Sequence, residues 1–162
     1  MPYVNIVICL ALVEFLYFGM AVAKARGRYN VPAPAVTGNE IFERYFRVQM
    51  NTLEQLVVFI PSIWLFGQYL SPYLAAGLGV VFLIGRLIYL FAYVKDPKKR
   101  ELGFVLSYVP TAILLVGAIC GAARAALLME GARRPVSAGP NRLGRATGGR
   151  SRSKVRHHQR KQ

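Results

Sequence analysis

The sequence predicts an all-α membrane protein: a bundle of four transmembrane helices followed by a basic carboxy-terminal tail. Of its 162 residues, 54% are hydrophobic, whereas about 45–50% is usual for a soluble domain. Four apolar segments each have roughly 20 residues or more, enough to cross a hydrocarbon core of about 30 Å. These segments are apolar on nearly every side, whereas helices of a soluble bundle have polar outer faces.

The apolar segments cover residues 4–23, 46–70, 74–94 and 104–128. The first resembles a signal peptide in length, but no basic region precedes it and Glu14 interrupts it, so we predict an uncleaved spanning helix. Asp96 followed by Pro97 is typical of an N-cap and first helical position, and it predicts the start of the fourth helix. We therefore predict one four-helix domain at residues 1–128 and a separate tail at residues 129–162.

Charge is distributed unevenly between these two parts. Residues 1–128 contain 11 Lys and Arg and 6 Asp and Glu, a net charge of +5, whereas residues 129–162 contain 10 Lys and Arg and only Glu130, a net charge of +9. The tail has few large apolar residues, so we predict that it is disordered. Its composition favours a solvated tail without a specific function over contact with anionic lipid, and favours nucleic-acid binding least.

The arrangement of basic residues predicts the orientation in the membrane. Four spans place the first and third loops on one side, and both termini on the other side. The basic residues in or beside these two loops are Lys24, Arg26, Arg28, Arg44, Arg47, Lys95, Lys98, Lys99 and Arg100. The positive-inside rule predicts that these loops are cytoplasmic. The arginines of the tail favour the opposite orientation, but the rule gives more weight to short loops next to the spans.

Ionisable and amide side chains interrupt the second and third apolar segments, where a charge costs about 2.5–3.5 kcal/mol to insert. Helical spacing places two sets each on one face: Arg47, Asn51 and Glu54 in the second segment, and Arg86, Tyr89 and Tyr93 in the third. Taken singly, these residues favour structural roles, such as an ion pair between Glu54 and Arg86 or snorkelling of Arg47 at the interface.

Taken together, the two sets suit a different role. Several arginines, a carboxylate, an amide and two phenols match a small zwitterion with carboxylates at both ends and an ammonium group, and the tripeptide glutathione is such a molecule. The sequence has no CxxC pair or other metal-ligand spacing, so we predict no metal. It also has no pore-lining repeat or pair of broken helices that would favour a channel or transporter.

The stretch ERYFRVQMNTLEQ at residues 43–55 resembles the signature of the MAPEG family, the membrane-associated proteins of eicosanoid and glutathione metabolism. The family pattern E-R-x-x-R-x-Q-x-N-x-x-E is matched at Glu43, Arg44, Arg47, Gln49, Asn51 and Glu54. A second block, GRLIYLFAYVKDPKKRELGF at residues 85–104, resembles the third helix and following loop of the family. The resemblance covers about residues 1–128 and is greatest to the family's microsomal glutathione transferases and leukotriene C synthases.

The resemblance implies a homotrimer of four-helix subunits, with glutathione bound between adjacent subunits near the cytoplasmic face. Carried over by position, the glutathione-binding residues are Arg26, Arg47, Gln49, Asn51, Glu54, Arg86, Tyr89 and Tyr93. Arg100 aligns with the arginine proposed to stabilise the glutathione thiolate and is the candidate catalytic residue. Gln55 stands where leukotriene C synthase has tyrosine, and Gly27 where it has a second arginine, so leukotriene synthesis itself is not implied.

The implied function is that of a membrane-bound glutathione transferase, with or without glutathione peroxidase activity. Its second substrate would be a lipophilic electrophile or a lipid hydroperoxide, which reaches the site through the surrounding membrane lipids. The alternative is a non-catalytic lipid-presenting protein that resembles the 5-lipoxygenase-activating protein. Retention of Arg47, Arg86, Tyr93 and Arg100 favours the enzyme.

Overall fold

The structure is a computed structural model that describes residues 1–133. In this part of the chain there are four long α-helices: α1 (Pro2–Arg28), α2 (Glu40–Tyr69), α3 (Pro72–Lys95) and α4 (Glu101–Arg133). The predicted all-helical architecture is confirmed for these residues. Helix α4 continues through the first residues of the predicted tail, and the rest of that tail, residues 134–162, lies outside the described residues.

Short polar side chains cap the starts of α2, α3 and the turn that precedes α4. The Asn39 carboxamide oxygen accepts two backbone amide hydrogen bonds of the first turn of α2, at 3.0 and 3.2 Å. Ser71 Oγ accepts one at the start of α3, at 3.3 Å. Asp96 Oδ1 accepts the Lys98 amide at 3.0 Å, which confirms the predicted N-cap. The turn that it starts, Pro97–Arg100, is a 3₁₀ turn and leads directly into α4.

Among the described helices, three are long and apolar enough to cross a membrane: Pro2–Arg28, Pro72–Lys95 and the continuous stretch Pro97–Glu130. Helix α2 has 30 residues, but its polar amino-terminal half lowers its hydropathy. That α2 also crosses the membrane therefore remains a prediction. Many large apolar side chains on the spans face outward: Leu16 is 65% exposed and Val116 is 60% exposed. Such an extensive apolar surface requires lipid or other protein chains around it.

Helices α2 and α3 form the centre of the bundle, and α1 and α4 each pack against both. One hydrophobic core joins all four helices, and within it the rings of Phe59 and Phe82 stack with centroids 3.8 Å apart. Because only a short turn joins α2 to α3, the two helices are antiparallel neighbours. The polar first half of α2 therefore lies beside the second half of α3.

Close contact between α3 and α4 depends on two glycines. A β-carbon on Gly85 would lie 2.8 Å from the α4 backbone at Leu106. A β-carbon on Gly103 would overlap the α3 backbone at Tyr89. Small residues allow this close approach of helices in membranes. The approach at Gly103 holds the start of α4, and the 3₁₀ turn before it, against the carboxyl end of α3.

Replacing Gly85 by alanine is expected to lower thermal stability in detergent, because the added methyl group has no space between the two backbones. Overpacking of this kind costs about 1–3 kcal/mol. Gly77 lies on the same helix and has no atom within 4 Å of an added β-carbon, so Gly77→Ala is the matched control. The control should be neutral or stabilising, because alanine favours the helix. Equal melting temperatures for the two variants would contradict the close approach.

Candidate functional site

A cleft of about 540 Å³ opens where the first half of α2 meets the end of α3. Its walls include Arg47 and Glu54 from α2, Tyr93 from α3 and Pro97 from the 3₁₀ turn. Small-molecule sites typically have volumes of about 300–1,000 Å³. Arg47 and Glu54 are both exposed, so the cleft presents a guanidinium and a carboxylate together. This agrees with the prediction that the two residues share one face of their helix. Within residues 1–133 no group of three or more His, Cys, Asp or Glu side chains is arranged to bind a metal ion.

Arg86 is fully buried in the contact between α2 and α3, with 0% of its surface exposed. Its Nη1 donates to Asn51 Oδ1 at 3.1 Å. Its Nη2 donates to Thr52 Oγ1 at 2.5 Å and to the Val48 carbonyl at 3.4 Å. A buried charge requires such partners, because leaving it unpaired is costly. In the structure its guanidinium contacts helix α2, and the role of Arg86 as a glutathione ligand stays a prediction.

Asn51 connects the buried Arg86 to the exposed Glu54. The Asn51 oxygen accepts from Arg86, and the Asn51 Nδ2 donates to Glu54 Oε2 at 3.4 Å. Glu54 and Arg86 are therefore linked through an amide and not as the direct ion pair considered from the sequence. Within the described residues, the ion pair closer than 4.0 Å is that of Arg44 with Glu40. Hydrogen bonds thus connect Arg86, buried between α2 and α3, to Glu54 in the wall of the cleft.

Tyr89 and Tyr93 extend this arrangement along α3. Their rings stack with centroids 5.4 Å apart and planes tilted by 15°. The Arg86 guanidinium lies 4.5 Å from the Tyr89 ring centroid, and the Arg100 guanidinium lies 5.8 Å from that of Tyr93. Two cations thus enclose two phenol rings in one column, and cation–π attraction contributes about 0.5–2 kcal/mol at each end. The column holds the exposed Arg100 beside a ring that lines the cleft.

Two other predicted residues lie away from the cleft. Arg26 Nη1 donates to the carbonyls of Val31 and Ala35, at 3.1 and 2.7 Å, and so fixes the loop between α1 and α2. Gln49 faces helix α1, where its amide nitrogen lies 3.1 Å from the position that a β-carbon on Gly19 would take. Neither Arg26 nor Gln49 lines the cleft.

Thr52 is a site residue that the sequence analysis missed. It is 1% exposed, and its hydroxyl donates to the Val48 carbonyl at 2.7 Å while it accepts from Arg86. The hydroxyl thereby satisfies a carbonyl and a buried cation together. The signal available in the sequence was its position one residue after Asn51, on the neighbouring edge of the same helix face.

Arg44 has a structural role that its place in the signature did not reveal. It forms an ion pair with Glu40 one helical turn away. It also donates to the carbonyls of Val94 and Lys95, at 3.1 and 3.4 Å. These carbonyls lie at the carboxyl end of α3, where helix carbonyls lack intrahelical partners and a cation is favoured. Arg44 therefore ties the start of α2 to the end of α3, on either side of the cleft.

The fold and cleft define a small helical membrane protein with a polar site at the end of its bundle where α1 connects to α2 and α3 connects to α4. The model of the MAPEG family matches residues 4–120. The chain therefore belongs to the MAPEG family, which confirms the resemblance found in the signature.

Several relatives resemble this chain over most of its helical part. Homo sapiens microsomal glutathione S-transferase 2 is 44% identical over 104 residues, which cover 64% of this chain and 71% of that protein. Cavia porcellus leukotriene C4 synthase is 35% identical over 120 residues, which cover 69% and 80% respectively. An uncharacterized Synechocystis protein is 46% identical over 114 residues, which cover 70% and 83% respectively.

Proposed function

We propose that the protein is a membrane-bound glutathione transferase that joins the glutathione sulfur to a lipophilic electrophile. The observation that carries this proposal is the cleft in which Arg47, Glu54 and Tyr93 meet, with Arg100 beside the Tyr93 ring. The likeness to microsomal glutathione S-transferase 2 and leukotriene C4 synthase supports the same class of reaction.

The cleft is also lined by Glu40, Glu43 and Arg44. Glu40 pairs with Arg44 and Glu43 accepts the Gly38 amide, which leaves Arg47 and Glu54 to meet the charges of glutathione. Glu54 is an acceptor for the ammonium group, and Arg47 is a donor for a carboxylate. Charge-assisted hydrogen bonds of this kind are roughly twice as strong as neutral ones. Asn51 and the Tyr93 phenol add polar contacts, and Arg86 supports the site from within by fixing Asn51 and Tyr89.

The chemical step requires the glutathione thiol to lose its proton. A thiol with a pKa of about 8.5 is mostly protonated at pH 7, whereas the thiolate is the nucleophile. A guanidinium near the sulfur favours the anion. Lowering the thiol pKa by about 2 units requires about 2.7 kcal/mol of differential stabilisation, which we assign to Arg100. The proton passes to water, the thiolate forms a C–S bond, and an aryl halide loses its halide with the bonding electrons.

A lipid hydroperoxide is a second substrate for the same thiolate. Two glutathione molecules would reduce one hydroperoxide to its alcohol and water, and the product of their oxidation would be glutathione disulfide. Because both kinds of substrate are apolar, they would reach the cleft from the surrounding lipid.

The active assembly in this proposal is a homotrimer with the site between subunits. Arg26 and Gln49 lie outside the cleft of their own protomer, so a neighbouring subunit would bring them to it. The large exposed apolar side chains of the spans provide surface for such contacts. All four helices would cross the membrane, with the first and third loops in the cytoplasm, where glutathione would enter.

Native mass spectrometry in mild detergent is expected to show a trimer. The physical reason is that Arg26 and Gln49 do not line the cleft of their own chain and would complete it from another copy. Crosslinking in membranes provides an independent measurement of the same state. A predominantly monomeric species that retains glutathione-dependent turnover would contradict the shared site.

The proposed activity is tested by glutathione-dependent conversion of 1-chloro-2,4-dinitrobenzene by the purified protein in detergent. The expected result is saturable turnover in glutathione that is lost in Arg100→Ala. A second assay follows reduction of cumene hydroperoxide, which separates transferase from peroxidase activity. Binding of lipid without turnover in either assay would favour a non-catalytic lipid-presenting protein.

A further inference from the structure

A groove of about 430 Å³, separate from the cleft, runs along α1 and α3. It lies at the end of the bundle where α1 connects to α2 and α3 connects to α4. It has no lining residue in common with the cleft that contains Arg47 and Glu54. Tyr17 and Met20 of α1 and Phe91 of α3 form its apolar part. Nothing in the proposed transferase reaction uses this groove.

The apolar part of the groove faces outward, and the whole groove, with its cationic end, has the length of one lipid leaflet. Met20 is 65% exposed and Phe91 is 63% exposed. Along α1, the distance from Tyr17 to Arg28 is about 16 Å at about 1.5 Å per residue. This is roughly half of a hydrocarbon core of about 30 Å. A single acyl chain lying in the groove would remain within the leaflet next to the loops.

The opposite end of the groove is cationic. Lys24, Arg28 and Lys95 line it and are all exposed. Within residues 1–133, no acidic side chain lies within 4.0 Å of any of these three cations. Three like charges converge at the point where the spans leave the apolar layer, and their repulsion is uncompensated by the described residues. An anion at this end would relieve that repulsion.

We propose that this groove binds one anionic phospholipid. Its headgroup phosphate lies among Lys24, Arg28 and Lys95, and one acyl chain follows the apolar wall between α1 and α3. Basic pockets between transmembrane helices are typical binding sites for anionic headgroups. A zwitterionic lipid would place a fourth positive group beside the three cations, so the groove discriminates by headgroup charge.

The test compares lipids that differ only in their headgroup. Delipidated full-length protein in mild detergent is incubated with phosphatidylglycerol or phosphatidylcholine of identical acyl chains, and retained lipids are counted by native mass spectrometry. The groove variant carries Lys24→Gln and Lys95→Gln. The matched control carries Lys98→Gln and Lys99→Gln, which removes the same charge from exposed positions outside the groove.

We expect the protein to retain phosphatidylglycerol in preference to phosphatidylcholine, and the groove variant to lose about tenfold in affinity for phosphatidylglycerol. The control should retain wild-type affinity. A third variant, Ala21→Trp, fills the groove without changing charge and should also release the lipid.

Three outcomes would overturn the proposal. Equal losses in the groove variant and the control would show unselective electrostatic attraction. Equal retention of phosphatidylcholine would show apolar association alone. Unchanged phosphatidylglycerol binding in Ala21→Trp, with a wild-type melting temperature, would place the lipid elsewhere.

Discussion

Replacement of Arg100 by alanine is expected to lower turnover about 25-fold at pH 7 and about a hundredfold below about pH 6, while glutathione affinity changes little. The proposed role of Arg100 is to stabilise the thiolate by about 2–3 kcal/mol, and its loss should raise the bound thiol pKa by about 2 units. Below the normal bound pKa, the thiolate fraction falls tenfold for each unit of that rise. Above the raised pKa, both proteins bind thiolate fully. The defect should therefore shrink as pH increases.

Two measurements test this assignment. Ultraviolet thiolate absorbance gives the bound thiol pKa, and pH–rate profiles give its effect on kcat. Lys99→Ala removes an exposed cation from the same 3₁₀ turn and should leave both nearly unchanged, which separates the position of Arg100 from general positive charge. The role of Arg100 is wrong if its alanine variant retains the wild-type thiol pKa and kcat.

Glu54→Ala provides the contrasting kinetic result. Contact of its carboxylate with the glutathione ammonium would be the same in the ground state and the transition state. Loss of such a uniform contact raises KM and leaves kcat unchanged. If Arg100→Ala also acted entirely on KM, Arg100 would be a binding residue and would have no part in ionising the thiol.

The sequence predicted the helices better than their ends. Hydropathy detects apolar segments, and it placed the first at residues 4–23 and the second at residues 46–70. Helix α1 continues to Arg28 and α2 begins at Glu40, because backbone hydrogen bonding extends a helix beyond the apolar layer. The start of α2 depends on the Asn39 cap, a local polar contact to which hydropathy is insensitive.

The candidate site was predictable to the level of helix faces but no further. Spacing correctly grouped Arg47 with Glu54 on one face, and Arg86 with both tyrosines on another. It carried no information about how far each face is covered by the neighbouring helix, so the burial of Arg86 and the role of Thr52 were not predicted. Arg26 shows a further limit, because its hydrogen-bond partners in the structure are carbonyls of the following loop.

Replacement of Arg86 by methionine is expected to destabilise the protein and to raise KM for glutathione about tenfold with little change in kcat. Methionine retains an unbranched side chain, but it leaves Asn51 Oδ1 without the donor that Arg86 supplies and removes the hydrogen bond that Thr52 Oγ1 accepts. Each buried polar group left unpaired costs about 1–3 kcal/mol. The loss of stability is measured as a fall in melting temperature in detergent.

The rise in KM distinguishes positioning from stability alone, because Arg86 would act through Asn51. A double-mutant cycle with Asn51→Ala tests this connection. If Arg86 only positions Asn51, the doubly substituted protein should have the same KM as Asn51→Ala, since removing the positioning residue has no further effect once its target is gone. Residues that act independently would multiply their effects on KM. Multiplied effects would show that Arg86 acts by a route other than Asn51, such as the Tyr89 ring. A wild-type KM in Arg86→Met would show that the hydrogen bond between Arg86 and Asn51 does not support glutathione binding.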